Sequence, residues 1–339
     1  MLTKRQNLLE TIRGGKPDRF VNQYEAFSLI MKPGYVTVDP ISGAFPQAVP
    51  DGPPVKGAWG VYFKLKTGQP GAMPQLDEAH MVLKDIKKWK DVVKMPRIDY
   101  PDSAWEEGVK ITESIDRNET FATACFFTGV FERLHYLMGM EECMINFYEE
   151  PVLMHELIDY ITEFELKCAA ELTKHFKPDA LFHHDDWGTQ NSSFLSPDMF
   201  REFIKSAYQK IYSFYKSQGV KIVVHHSDSY AANLVPDMID MGIDVFQGCI
   251  TSNDVPELVR KYGGKISFMG DLNNGVLDKA DWTPELIKSE VERACRTNGK
   301  LYFIPCLTMG GPGSTYPGVY EAVSEEIDRI SKVMFVQNY

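Results

Sequence analysis

Short apolar segments alternate with longer amphipathic ones along most of this chain, and this alternation is the strongest constraint on its fold. The apolar segments predict buried strands, at 19–25, 120–127, the first half of 179–188, 221–226, 243–247, 265–269 and 301–305. The amphipathic segments predict helices, at 3–14, 85–93, 102–116, 131–138, 150–175, 196–217, 230–241, 255–262, 284–296 and 317–334. Alternation of this kind predicts a parallel sheet with right-handed crossovers.

The α/β architecture that we predict is a closed (β/α)8 TIM barrel, forming a single domain over residues 1–339, with one strand unidentified. Such a barrel commonly uses roughly 250 residues, and the chain has 339. An open doubly wound sheet is the alternative. No GxGxxG follows any predicted strand, so dinucleotide binding is disfavoured.

The segment 33–76 differs from the rest of the chain. It is crowded with Pro and Gly and contains no long periodic run. A connection of this length with little regular structure is usually functional. We expect an irregular elaboration that covers one mouth of the barrel, anchored by Trp59, Tyr62 and Phe63. A plain surface excursion is the alternative.

The charge balance excludes two classes of partner. The formal net charge is −11, whereas nucleic acids and anionic membranes are bound by an excess of Lys and Arg.

No apolar run approaches the roughly 20 residues of a membrane span. The N-terminal residues carry charges where a signal peptide needs an apolar core. We therefore expect a cytoplasmic protein, and a homo-oligomer is compatible with the sequence.

Polar clusters stand at the ends of several predicted strands. The clearest is Lys221-Ile-Val-Val-His-His-Ser-Asp228, in which an apolar run leads into two histidines and a carboxylate. The segment 183–187 repeats the pattern. In a barrel all carboxyl ends of the strands share one face, where catalytic and binding groups collect. These clusters, together with Gln247, Asp271 and Cys306, are therefore expected to converge on one cavity.

His226, Asp228 and Cys306 offer an imidazole, a carboxylate and a thiol. This set suits Zn²⁺ with a fourth position left open. His226 and Asp228 are two positions apart, so their side chains point the same way on an extended strand end. The alternative is structural, with Asp228 capping the following helix and His226 making a hydrogen bond inside the barrel.

His183, His184, Asp185 and Asp186 form a second cluster. Adjacent carboxylates repel each other, so one is expected to have a raised pKa or to pair with a histidine. Strand alternation lets only some of the four side chains face the cavity. The others would then bond to supporting groups or cap loops.

These residues resemble a known family, the uroporphyrinogen decarboxylase superfamily, and within it the cobalamin-dependent methyltransferases. The opening at residues 5–19, Arg-Gln-Asn-Leu-Leu-Glu-Thr-Ile-Arg-Gly-Gly-Lys-Pro-Asp-Arg, matches the family's helix and Pro-Asp/Glu-Arg turn. Methyltransferases of this branch carry a His-x-Cys-Gly motif and a distant second cysteine, which bind zinc. The matching stretch is 226–229, His-Ser-Asp-Ser, so Asp228 replaces the first cysteine and Cys306 is the second.

The resemblance implies a (β/α)8 barrel and methyl transfer from a small methylated donor to the cobalt of a separate corrinoid protein. The replacement by Asp228 argues against thiol substrates, because a carboxylate is a harder ligand and leaves zinc a stronger Lewis acid. O-Demethylation of methoxylated aromatic compounds fits this change. The decarboxylases of the superfamily carry an Arg-Gln-Ala-Gly-Arg segment near the N-terminus, and this chain lacks it.

The roles that follow from the resemblance are expectations. His226, Asp228 and Cys306 would hold zinc. His184 or Asp186 would bond to the substrate or donate a proton to its leaving oxygen. The expected substrate-binding or supporting residues are Glu25, Asp185, Trp187, Gln247 and Asp271.

Two rival functions remain open at this stage. A metal-independent decarboxylase would need cationic groups facing the cavity. A non-catalytic subunit that binds a corrinoid or another ligand would hold no zinc and show no turnover.

Overall fold

The core of the molecule is a curled parallel sheet surrounded by helices. The computed structural model describes residues 1–32, 36–69, 71–309, 311 and 314–335. Its strands are β1 (Phe27–Leu29), β2 (Met31–Lys32), β3 (Val36–Thr37), β4 (Val55–Lys56), β5 (Tyr62–Lys64), β6 (Met73–Pro74), β7 (Phe121–Phe126), β8 (Ala180–His184), β9 (Ile222–His226), β10 (Val245–Cys249), β11 (Ser267–Leu272) and β12 (Phe303–Leu307).

The helices follow the strands around the sheet. They are α1 (Lys4–Ile12), α2 (Trp89–Val92), α3 (Glu106–Glu113), α4 (Val130–Met138), α5 (Met140–Glu149), α6 (Pro151–Phe176), α7 (Pro197–Met199), α8 (Lys205–Ser217), α9 (Val235–Met241), α10 (Val255–Tyr262), α11 (Asn274–Leu277), α12 (Pro284–Asn298) and α13 (Val319–Met334). A π-helical turn at Phe200–Ile204 joins α7 to α8.

Seven strands pair in the order β1-β7-β8-β9-β10-β11-β12, and every pair in this sheet is parallel. Beside the last strand, the amide of Gln23 donates to the carbonyl of Pro305 at 3.3 Å. The sheet therefore curls towards closure, and the fold is α/β and like a TIM barrel. The predicted fold class is confirmed, and the single domain over residues 1–339 stays a prediction.

The prediction for the first strand is wrong in position. Residues 19–25 contain no strand and end in a turn, in which Glu25 N bonds to the carbonyl of Asn22 and Phe27 N bonds to that of Tyr24. Gln23 has a φ of 50°, which a strand does not contain. The first strand begins only at Phe27. Glu25 consequently lies at the amino end of the sheet, and the functional clusters follow its carboxyl end.

Strand alternation divides the apolar residues into two layers. Phe182, Val224, Met269 and Cys306 belong to the layer inside the curled sheet. Their strand neighbours, such as Val223, belong to the larger layer between the sheet and the helices. The strands are buried on both faces, as expected for a parallel sheet covered by helices.

The described part of the elaboration forms small antiparallel strands that pack on the barrel helices. β5 pairs with β4 and β6. Trp59 lies edge-on against Phe164 of α6, with ring centroids 5.0 Å apart, and Phe63 lies edge-on against Tyr136 of α4 at 5.8 Å. Tyr62, the third expected anchor, packs edge-on against His80. Residues 33–35 and 70 of this predicted segment lie outside the described residues.

Among the described residues, every helix is too short or too polar to span a membrane.

Candidate metal centre and adjoining cavity

Three side chains bring potential metal ligands together at the carboxyl end of the sheet. One ligand atom from each of His184, Asp186 and His226 lies within 4.8 Å of the others. His184 and His226 are register partners on β8 and β9, and their rings stack with centroids 4.6 Å apart. Two imidazoles and a carboxylate are a donor set suited to a divalent transition metal such as zinc.

Hydrogen bonds fix how the two imidazoles face this cluster. Nδ1 of His226 is bonded to Oε1 of Gln247, whose amide nitrogen donates to the carbonyl of Thr308. Nδ1 of His184 donates to Oε2 of Glu132 at 2.8 Å, because a carboxylate can only accept. Each Nε2 is therefore left to bind a cation, and metal-binding histidines are held in this way.

Charges in the cluster are crowded. Burial alone would lower the pKa of His184, but the carboxylates of Glu132 and Asp186 outweigh it and raise the pKa to about 10. Burial raises the pKa of Asp186 to about 6, and burial and the charge of Asp186 raise that of Asp228 to about 7. Burial lowers the pKa of His226 to about 4. A divalent cation would stabilise both carboxylates and the neutral imidazoles.

The predicted zinc ligands share only His226 with this group. Asp228 is adjacent to it, since its backbone amide donates to Oδ1 of Asp186 at 3.0 Å. Cys306 lies in the interior apolar layer, where its thiol makes hydrogen bonds with the side chains of Gln247 and Tyr24 and burial raises its pKa. Asp228 and Cys306 as metal ligands stay predictions.

The second predicted cluster is divided by strand alternation. Asp185 is fully buried and accepts hydrogen bonds from two backbone amides of α4, from the hydroxyl of Tyr208 and from Nε1 of Trp187. Nε2 of His183 bonds to Glu165 of α6 at 3.0 Å. Trp187 is buried, with its ring stacked on His225. The side-chain polar groups of Asp185 and Trp187 thus make hydrogen bonds inside the protein. Substrate roles for these two residues stay predictions.

Two further predicted residues lie apart from the cluster. Asp271 has a φ of 62° and follows Gly270, which has a φ of 154° and lies opposite the register shift of β10 between Gln247 and Cys249. This turn sends its carboxylate outward, where Arg293 donates to it at 3.0 Å and Asn298 at 2.7 Å. Glu25 lines a depression at the amino end of the sheet. Gln247 lies beside the cluster, bonded to His226, and its supporting role stays a prediction.

Glu132 is the functional candidate that sequence reasoning missed. It lies on α4, whereas the polar clusters that stand out in the sequence follow strands. Its pKa is lowered, because the charge of His184 outweighs the effect of burial. Its neighbour Gly129 precedes the helix, but no motif in this stretch identifies an acidic partner for His184.

A cavity of about 290 Å³ adjoins the cluster, beneath the elaboration. Trp59 and Phe63 of the elaboration line it, as do Phe127, Arg133 and Tyr136 of the barrel. The ring of Phe127 lies 6.2 Å from that of His184, and the hydroxyl of Tyr136 donates to Glu132 at 3.1 Å. Phe127 and Tyr136 thus line the cavity and also contact His184 and Glu132 of the candidate metal centre.

Comparisons with known proteins agree with this fold. A methyltransferase from Methanosarcina mazei has a similar structure, with a TM-score of 0.64 at 16% sequence identity, over 97% of this chain and 99% of that one. No curated protein matches the sequence significantly. Residues 57–330 match the family described as Uroporphyrinogen decarboxylase (URO-D). This match spans most of the chain, and the protein therefore belongs to the uroporphyrinogen decarboxylase family.

Proposed function

We propose that this protein is a methyltransferase that passes a methyl group from a small methylated donor to the corrinoid of a partner protein. Three lines of support lead to this proposal: the resemblance to the cobalamin-dependent branch, the methyltransferase with a similar fold, and the donor set at the mouth of the barrel. Methoxylated aromatic compounds are the donors that we favour, because aromatic side chains line the adjoining cavity.

The observation that carries the proposal is the orientation of the two histidines. Glu132 and Gln247 each take the Nδ1 side of an imidazole, which leaves both Nε2 atoms for a metal together with Asp186. In this proposal His184 and Asp186 are therefore ligands rather than proton donors. Zinc bound there would act as a Lewis acid on the ether oxygen of the donor.

Size argues against a tetrapyrrole in the cavity. Pockets for small molecules commonly measure about 300–1,000 Å³. At about 290 Å³, this cavity lies just below that range and suits one substituted ring. The family name alone therefore does not indicate the substrate.

Metal analysis combined with a transfer assay tests the proposal. We expect about one zinc per chain in protein purified without chelator, and conversion of Co(I) to methyl-Co(III) on a reduced corrinoid protein with a methoxylated aromatic donor. His226→Ala should abolish both. Protein that is free of metal and inactive with every methyl donor would contradict the proposal.

Single variants distinguish the two possible ligand sets. Loss of zinc in His184→Ala and Asp186→Ala would assign the ligands to the cluster seen in the structure. Loss in Asp228→Ala and Cys306→Ala would assign them to the set predicted from the sequence.

Arg133 favours a second candidate function, a metal-independent decarboxylase, because a buried cation at the cavity can hold a carboxylate. Release of CO₂ from a carboxylate substrate by chelator-treated protein would support this function. Methyl transfer that depends on zinc would exclude it as the main activity.

A further inference from the structure

Arg133 is a buried cation that has no ionic partner among the described residues. Its side chain belongs to α4 and lines the cavity, yet the residue is only 8% exposed. Among the described residues only the carbonyl of Thr128 accepts a hydrogen bond from the guanidinium, through Nη2, and Nε is buried with no partner. Leaving such donors unpaired is costly, so a buried arginine normally has an anion beside it.

The nearby carboxylates do not satisfy Arg133. Glu165, Glu132 and Asp185 act on it electrostatically, but no ion pair joins it to an acidic residue in the described part of the chain. Glu165 is bonded to His183 through Oε2 only, and its Oε1 is buried without a hydrogen-bond partner among the described residues. Glu132 is bonded to His184. Burial lowers the pKa of Arg133, which is the direction for a cation that lacks close compensation.

Other walls of the cavity fit a planar ring. The guanidinium lies 5.3 Å from the ring of Trp59 and 5.6 Å from that of Phe164. Trp59 also has a buried indole N–H with no acceptor among the described residues. Phe127 and Tyr136 complete an aromatic lining on the side of the metal cluster. The cation at one wall and the aromatic faces at the others together match an aromatic ligand that carries an anionic group.

One acidic residue also reaches the cavity. Asp39 lines it, but burial raises the pKa of Asp39, which disfavours its charged form. Its Oδ1 accepts from the backbone amide of Ser42 at 2.7 Å. The cavity thus presents a cation whose charge cannot be removed and a carboxyl group whose charge is disfavoured.

We infer that the cavity binds a monocyclic aromatic carboxylate, with the carboxylate held by Arg133 and the ring packed between the elaboration and α4. This inference rests on the proposed function in taking that ligand to be the methyl donor. The substrate class is then a methoxylated aromatic acid rather than a neutral methoxyarene. Arg133 is the specificity-determining residue, because its charged hydrogen bonds favour a carboxylate over a neutral group.

Binding measurements on metal-free protein test the inference independently of catalysis. Quenching of tryptophan fluorescence and calorimetry would compare 3-methoxybenzoate with 3-methoxybenzyl alcohol and with phenyltrimethylammonium. We expect the carboxylate to bind at least about tenfold more tightly than the neutral analogue. Arg133→Met should remove this preference, while Arg296→Met, an exposed arginine on α12, should leave it unchanged.

The thermal stability of Arg133→Met tests the role of Arg133 in a second way. Since a buried unpaired cation destabilises the fold, Arg133→Met should unfold at the wild-type temperature or higher although it binds the acid less well. Equal binding of the acid and the alcohol by the wild type would overturn the inference, as would tighter binding of the cation. If carboxylate binding persists but zinc and methyl transfer are absent, the proposed function fails and the ligand class stands.

Discussion

At the scale of single residues, the candidate centre depends on side chains that no local motif identifies. His184 and His226 stand out in the sequence, because two consecutive histidines end each apolar run. Glu132 and Arg133 do not stand out, since both lie in an ordinary amphipathic helix. Their roles arise only when α4 packs over the end of β8, where one contacts His184 and the other lines the cavity.

Glu132 provides the prediction at this scale. Replacing the carboxylate by an amide in Glu132→Gln removes the charged acceptor that orients His184. We expect zinc affinity to fall about 10- to 100-fold, measured by competition with a chelator at fixed pH. Glu142→Gln, which changes an exposed residue of α5, serves as the control. Unchanged affinity in Glu132→Gln would show that His184 does not bind the metal.

At the scale of elements, the strands could be predicted because their apolar runs are short and bounded by polar residues. The run at 221–226 predicts β9 to within one residue. Two elements could not be read in this way. Residues 19–25 include apolar side chains that predict a strand, but they contain no strand and end in a turn beside β12. Asp271 is placed by the positive φ values of Gly270 and Asp271, opposite the register shift of β10, and these override strand alternation.

The turn between β7 and α4 is the element on which the candidate site most depends. A Cβ atom on Gly129 would lie 2.6 Å from Cβ of Asp185 and would also meet the hydroxyl of Tyr208. Gly129→Ala should therefore displace the start of α4 and cost about 1–3 kcal/mol, with loss of zinc. Melting temperature and metal content would measure this. Gly71→Ala, where the added Cβ meets open space, should change neither.

At the scale of the whole molecule, ionic contacts hold the N-terminal helix across the amino end of the sheet. Asp179, just before β8, pairs with Arg5 of α1 at 3.3 Å and with Arg117 at 2.7 Å. Burial alone would raise the pKa of Asp179, but these arginines outweigh it and hold the pKa below its usual value. The ion pairs of Asp179 thus lie at the end of the barrel opposite to the candidate site.

This arrangement predicts how stability depends on pH. A carboxylate with a lowered folded pKa contributes fully above its unfolded value of about 3.9, and the contribution is lost as the pH falls through the folded value. Asp179→Asn should reduce the free energy of unfolding at pH 7 by roughly 1.5–3 kcal/mol and flatten its acid dependence. Urea titrations from pH 3 to 7 would measure both effects.

Asp240 offers a matched comparison, because it pairs with Lys205 at 2.7 Å but is exposed. Asp240→Asn should cost less than about 1 kcal/mol. Equal losses in the two variants would contradict a special role for Asp179.

The alignment of β8 with β9 has a consequence for how such a site is inherited. Each strand ends in a doublet of identical residues, with His183 beside His225 and His184 beside His226. A single-residue insertion upstream of either doublet would rotate the wrong imidazole towards the interior while the same letters remained in the chain. The chemistry at this position therefore depends on where the histidines fall along each strand as much as on their presence. A homologue that keeps both histidine doublets can still have lost the activity.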